Sequence, residues 1–305
     1  GLDKMYRLHK WLGISALILA VAHWLWSEAP KWAIGLGLLE RPERGERHAF
    51  GNPVAQFLAD LRGPAEGLGE WAFYVSVLLI AVALIPRISY RWFFKTHRFL
   101  AVAYLLLVFH TVVLAKFHYW TSPLGVVLAV LLIAGTYASL VVLFRRVAVG
   151  RRVTGTIVDL MHFPGVRSIE SRIRLQPGWP GHQPGQFAFV TSDAQEGAHP
   201  YTIASAWDPG NPDITFIVKG LGDHTSRLAE TLKIGQEVAV EGPYGCFTFE
   251  DGAPRQIWVG GGIGITPFVS RMKHLAQARQ DRPDAPPQVV DLFHTTADLD
   301  EVALA

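Results

Sequence analysis

Four apolar runs of bilayer length, all in the first half of the chain, constrain the fold more than any other feature. Residues 11 to 26, 71 to 86, 99 to 115 and 123 to 144 approach the roughly 20 residues that an α-helix needs to cross a membrane. Lipid offers no partner to a backbone amide, so each run is expected to be helical. From Arg151 onward, charge, Gly and Pro are mixed as in an ordinary globular domain. Half of the 305 residues are hydrophobic and the net charge is only +2, which gives no sign of a nucleic-acid partner. A single cysteine, Cys246, excludes an intramolecular disulfide, a Cys-ligated iron–sulfur cluster and a covalently attached haem. Any redox metal needs other ligands.

Basic residues set the expected orientation. Lys4, Arg7 and Lys10 precede the first run; Arg87, Arg91, Lys95 and Arg98 lie between the second and third; Arg145, Arg146, Arg151 and Arg152 follow the fourth. The positive-inside rule places all three clusters, and the domain after Arg151, in the cytoplasm. Residues 28 to 70 then form an outer loop, in which Arg41, Arg44, Arg47 and His48 either attract an anionic chelate or are simply solvated. With no initiator Met and no signal peptide ahead of the first run, the chain is expected to be a fragment, cut at both ends.

Histidines interrupt two of the runs. His9 and His23 are fourteen residues apart on the first, which returns them to nearly one helix face about 21 Å apart along the axis. His97 and His110 are thirteen apart on the third, about 19.5 Å. The two helices run in the same direction, so His9 is level with His97 and His23 with His110. Two levels of paired imidazoles are what two b-type haems stacked across a bilayer require. A lone membrane histidine bonding a neighbouring helix is the plainer alternative for any one of them. Thirteen residues of ideal helix rotate the second ring by about 140°, so the third span is expected to carry a bulge or kink, or its rings to approach from different flanks. His118, about 31 Å beyond His97, suits an interfacial or acceptor role better than ligation. Trp24, Trp26 and Trp120 read as an aromatic belt. Arg7, Lys10 and Arg98 either neutralise haem propionates or follow from topology alone.

The second half reads as two pieces. Short strand-like segments, TGTIVDL, SRIRL, QFAFVTS, DITFIVKG and EVAVEG, are separated by Gly and Pro turns, a pattern for a small antiparallel barrel. From Gln256 the order becomes strand, Gly-rich loop, helix, strand. Gly260-Gly261-Gly262-Ile263-Gly264-Ile265-Thr266-Pro267 occupies that loop, where glycines admit a phosphate, Thr266 can cap and Pro267 suits the first helical turn. The expected architecture is a multidomain membrane protein: a transmembrane helical bundle (residues 1–148), an antiparallel β-barrel domain (149–250) and the truncated start of an α/β nucleotide-binding domain (251–305).

The stretch His199-Pro200-Tyr201-Thr202-Ile203-Ala204-Ser205 resembles the flavin motif of the ferredoxin-reductase superfamily, in the form seen in ferric reductases and NADPH oxidases. Lys219-Gly220-Leu221-Gly222-Asp223-His224-Thr225-Ser226 follows at that family's distance, and its Gly and hydroxyl residues suit a pyrophosphate; a turn capping the helix SRLAETL is the simpler alternative. The Gly260–Pro267 loop resembles the family's NAD(P)H site, Glu241-Gly242-Pro243-Tyr244-Gly245 its inter-domain link, and the four histidines its haem ligands. The resemblance implies that Tyr201 stacks on the isoalloxazine, that Thr202 approaches flavin N5, and that His199 contacts the cofactor's phosphate or ribose, with Pro200, Ser205, Lys219, Gly222, Thr225 and Ser226 around it. Gly260, Gly261, Gly262, Gly264, Thr266 and Pro267 would hold NADPH or NADH. No Arg appears in FHTTADLDEVALA to mark a 2′-phosphate, which leaves NADH open.

The expected function is that of an integral protein of the cell's inner membrane, with FAD and NAD(P)H domains in the cytoplasm. Electrons pass from NAD(P)H through FAD, the inner haem (His9, His97) and the outer haem (His23, His110) to a small acceptor outside. A ferric chelate is the first choice of acceptor. The alternatives are dioxygen, reduced to superoxide, and a membrane-anchored flavin reductase without haem; partners other than lipid are not legible.

Overall fold

The computed structural model describes residues 1–40, 52–85, 88, 90–144, 147–250, 253–281, 283 and 288–298. Arg41, Arg44, Arg47, His48, Arg87, Arg145 and Arg146 lie outside the described residues. The chain packs as two units, Lys4–Val147 and Ala148–Ala305, the latter with Gly1–Asp3.

Four helical stretches in the first unit are long and apolar enough to cross a membrane: Lys4–Gly35, Arg62–Leu84, Trp92–Leu114 and Pro123–Leu143. They belong to α1 (Leu2–Gly35), α3 (Arg62–Leu84), α4 (Tyr90–His97) with α5 (Phe99–Leu114), and α6 (Pro123–Leu143). Much of the expected outer loop is helical instead. α1 continues to Gly35, and α2 (Pro53–Asp60) starts where Asn52 Oδ1 accepts the Val54 amide at 2.8 Å with Pro53 in the first turn. α3 begins at Arg62 although its opening RGPAEGLG has few large apolar residues. Ala65, Gly69 and Ala72 are buried there, because small residues let a neighbouring helix come close. The third span is interrupted at Arg98, one residue past His97, where Ala101 N–H donates to the Arg98 carbonyl at 3.1 Å in a tighter turn. An irregularity on this span was the expectation from its histidine spacing.

The second unit opens with a six-stranded antiparallel sheet: β1 (Arg152–Phe163), β2 (Ser168–Leu175), β3 (Phe187–Thr191), β4 (His199–Thr202), β5 (Asp213–Lys219) and β6 (Glu237–Tyr244). The spatial order is β4-β3-β6-β1-β2-β5. A bridge from Ile203 to Phe216 brings the two outer strands together and closes the barrel. Alternation decides what fills it: β2 buries Ile169, Ser171, Ile173 and Leu175 in turn. These pack with Ile157, Ile203, Ile214, Phe216 and Val240 in one core, where each large side chain contributes roughly 1.5–3 kcal/mol. Then β7 (Arg255–Gly261), a 3₁₀ turn (Gly262–Ile265), α8 (Thr266–Asp281) and β8 (Val289–Thr295) follow, with β7 and β8 parallel. Phe249, Trp258 and Phe268 form a second core beneath this crossover, Trp258 stacking on Phe268 at 5.3 Å.

Candidate functional site

In the membrane unit, His9 of α1 and His97 of α4 face each other with ring centroids 5.9 Å apart and planes at 77°. Phe93 stacks on His97 at 4.9 Å. His97 Nδ1 and the neighbouring Arg98 Nε are buried without a hydrogen-bond partner. A buried donor so placed costs free energy unless something else satisfies it.

His110 of α5 is half-buried, and its Nδ1 lies 3.0 Å from the Ala65 carbonyl of α3. His23 is exposed and makes no ring contact or hydrogen bond among the described residues, so the structure brings together the inner pair of histidines but not the outer pair. His118 is exposed and rests on Tyr119. Trp24 differs from an interfacial belt residue: it stacks on Phe73 of α3 at 5.6 Å and joins the two helices.

In the barrel, β4 carries the flavin-like motif, paired to β3 in the register Phe187 to Thr202 and Val190 to His199. Alternation puts His199 and Tyr201 on one side of β4 and Pro200 and Thr202 on the other. Tyr201 packs on the barrel core, and its phenol oxygen is buried without a partner. Burial pushes that phenol above its ordinary pKa, so it stays protonated and able to donate.

His199 stacks face to face on His224 from the later motif, centroids 3.9 Å apart and planes within 8°. Burial lowers the pKa of both rings; each also depresses or is depressed by a nearby charge, His224 acting on His199 and Arg227 on His224, while Glu196 opposes the shift. Glu196, His199 and His224 bring ligand-type atoms within 4.8 Å of one another. Parallel rings direct their in-plane lone pairs side by side rather than at one point, and Glu196 is already paired to Arg227 at 3.2 Å. The arrangement does not present these three groups to one metal ion.

The second motif is more internally committed than its composition suggests. Thr225 Oγ1 accepts the amides of Leu221 and Gly222, both at 3.0 Å, and so holds the turn itself. Lys219 is nearly buried and pairs with Asp298 at 2.8 Å; Arg167 reaches the same carboxylate at 3.4 Å. The Lys219 bond, then Arg167, holds the Asp298 pKa below its usual value. Beside them lies a cavity of about 300 Å³ lined by Arg167, Ser168, Gly220, Thr225 and Ser226.

The nucleotide loop follows β7. A Cβ on Gly260 would meet the Ile265 backbone at 3.1 Å, a tight contact that glycine avoids where the loop folds back over the strand; Gly262 adopts φ +51°. Gly261 and Gly264 face open space or ordinary contact distance. Thr266 is buried, and its hydroxyl donates to the Ile263 carbonyl at 2.8 Å instead of accepting a helix amide, so it does not cap α8 as expected. Pro267 lies in the first turn of α8.

Sequence reasoning missed one polar hub. Ser205 closes the flavin-like motif, and its carbonyl accepts from His182 Nε2 at 3.1 Å and from Ser270 Oγ of α8 at 2.8 Å. Its hydroxyl accepts the Thr215 amide at 3.1 Å. Ser205 is thus already engaged within the protein, and Ser270 ties α8 to the flavin-like strand. Nothing in the spacing of His182 marks it.

Comparison with known proteins bears on both units. Residues 1–108 match the family model "Ferric reductase like transmembrane component", and residues 169–248 match "FAD-binding domain". The chain is 27% identical over 274 residues to the superoxide-generating NADPH oxidase heavy chain of Dictyostelium discoideum, covering 82% of this chain and 48% of that one. It is 32% identical over 123 residues to ferric reduction oxidase 5 of Arabidopsis thaliana, covering 37% and 17%. Among solved structures, the Amycolatopsis cytochrome P450 reductase GcoB aligns with a TM-score of 0.41 at 23% identity over 50% of this chain and 46% of that one. Each match spans less than half of the relative's own length.

Proposed function

We propose, for a chain that belongs to the ferric reductase and NADPH oxidase family of membrane oxidoreductases, that it passes electrons from cytoplasmic NAD(P)H through FAD and two b-type haems to an acceptor across the membrane, a ferric chelate first and dioxygen second. The observation that carries this reading is the facing of His9 and His97 from two different spans at 5.9 Å. Two imidazoles from different spans at this separation are a donor set that would hold a haem iron between them, His9 from α1 and His97 from α4. The unpartnered Arg98 Nε beside it suits a haem carboxylate. In this reading His110, one ring nitrogen of which is engaged by α3, and His23 would hold the outer haem, although the two rings are not in contact.

When bound, FAD would convert a two-electron hydride into single electrons and haem would carry these one at a time. The protein's part is placement. Tyr201 offers a ring and a buried donor to the flavin, Thr202 a hydroxyl, and His199, with Gly222 and Ser226 of the second motif, the surroundings of its phosphates. The amides of the Gly260–Gly264 loop, at the head of the sixteen-residue α8, offer partial positive charge to the phosphates of NAD(P)H. Basic residues in the first three turns of α1 and in α4 set the cytoplasmic side.

The test is a reduced-minus-oxidised spectrum of the purified chain with haem and FAD counted per polypeptide, for the natural sequence and His97→Ala. Two haems falling to one in the variant, with FAD unchanged, is the expected result. A preparation holding FAD but no haem would replace this reading with a flavin reductase anchored by its spans. Titration with NADH and NADPH against ferric citrate and oxygen then identifies donor and acceptor.

A further inference from the structure

His110 is seated on α3 in a way that ligation alone does not demand. A carbonyl can only accept, so the 3.0 Å contact to the Ala65 oxygen means that His110 Nδ1 carries the proton and Nε2 keeps its lone pair. Gly69, one turn beyond Ala65 on α3, makes that approach possible. A Cβ there would fall inside the imidazole, against Nδ1, Cε1 and Cγ together, so the whole ring would have to withdraw. Ala65 is fully buried and Gly69 is buried with it. Gly63 and Gly67 on the same helix have nothing within 4 Å. Close approach is therefore a property of one position and not of a generally thin helix.

We propose that Ala65 and Gly69 are positioning residues that fix His110 as its Nδ1–H tautomer and leave Nε2 as the nitrogen that would bind a haem, so that α3, which carries no histidine, sets the orientation and basicity of this donor. The proposal rests on the reading of His110 as a haem ligand. Ala65 is fully buried within the protein, so a ring moved off its carbonyl leaves that oxygen without a partner. A hydrogen bond to the distal nitrogen orients a metal-bound histidine and strengthens it as a donor, and its loss costs about 10- to 100-fold in metal affinity.

The experiment uses the full chain in detergent, with haem counted per chain, the low-spin electron paramagnetic resonance signals recorded and both midpoint potentials titrated. Gly69→Ala is expected to weaken haem retention at one site about 10- to 100-fold, or to shift that haem's signal and potential, while Gly67→Ala leaves all three readouts unchanged. A second arm does not depend on the folding of Gly69→Ala. In His110→Gly, added imidazole, which can donate to the Ala65 carbonyl, should restore the second haem about tenfold more effectively than 1-methylimidazole, which cannot. If His110→Gly keeps two haems, the ligand reading fails and the seat with it. If His110→Gly loses one haem, yet Gly69→Ala matches the natural chain or the two imidazoles rescue equally, the seat is overturned and the ligand reading stands.

Discussion

Acid should loosen the barrel through His182, by an amount that its surroundings fix. The ring is buried, donates from Nε2 to the Ser205 carbonyl and accepts at Nδ1 from Trp179 Nε1 at 3.4 Å. Both nitrogens are used in the neutral form, and a proton on Nδ1 would set two donors against each other. Burial, opposed only by the Ser205 bond, pushes its pKa down to about 4 from an ordinary value of 6.5. Between pH 6.5 and 4 the unfolded chain therefore holds this proton and the folded chain does not. Stability is complete above 6.5, falls by about 1.4 kcal/mol per pH unit below it, and levels off near 4, a loss of about 3 kcal/mol in all. His182→Gln supplies an amide donor and a carbonyl acceptor without a titrating group. Urea unfolding of the detergent-solubilised chain, followed by bound-flavin and tryptophan fluorescence at half-unit pH steps, compares the two. The natural chain should lose about 3 kcal/mol more than the variant across this window. Parallel pH profiles would refute the assignment, because carboxylates elsewhere titrate alike in both.

Exchanging Gly260 for Ala should cut NAD(P)H affinity and lower stability by about 1–3 kcal/mol, since the new methyl meets backbone at 3.1 Å. Gly261→Ala, whose Cβ would meet nothing nearer than Thr295 Oγ1 at 3.7 Å, should fold normally, so any loss of nucleotide binding there reports contact with the ligand itself. Thr202→Val should slow flavin reduction by NAD(P)H about tenfold or more while haem content stays constant, read by stopped-flow absorbance; haem loss would show that the barrel has another role.

Patterns of residue type were legible before any coordinates, whereas pairings between distant positions were not. Five of the six barrel strands declare themselves by alternation, and Ile169, Ile173 and Leu175 bury as their spacing predicts. β4 escapes because it is four residues long and contains Pro200. The start of α3 escapes because Gly and Glu in RGPAEGLGEW lower its apolar count; only the Ala65, Gly69, Ala72 spacing hints at a packing seam. Paired histidine spacings pointed to His9 with His97, which face each other, and to His23 with His110, which do not meet: Arg98 keeps helical dihedrals, so the short interruption there leaves His110 turned to α3. The 3.0 Å contact of His110 with Ala65 joins positions 45 apart, and that between Ser270 and Ser205 joins positions 65 apart. No local periodicity encodes either.

The Ser205 carbonyl offers a sharper test of how the nucleotide segment is tied to the flavin-like strand. Two donors share it, His182 from the barrel and Ser270 from α8. Removing either leaves the oxygen one partner, so Ser270→Ala should cost about 0.5–1.5 kcal/mol, the net worth of a hydrogen bond. Removing both leaves a half-buried carbonyl without a partner and adds a desolvation penalty, up to about 1–3 kcal/mol for a fully buried group, that neither single change incurs. A double-mutant cycle of His182→Ala and Ser270→Ala, read from unfolding free energies at pH 7.5 where His182 is neutral, should therefore be non-additive in the destabilising direction. Hydride transfer supplies a second readout: if α8 is held to the flavin strand through this oxygen, the double variant should slow flavin reduction by NAD(P)H beyond the product of the single effects. Additive energies with independent rates would mean that the carbonyl finds another partner and that Ser270 only fills space.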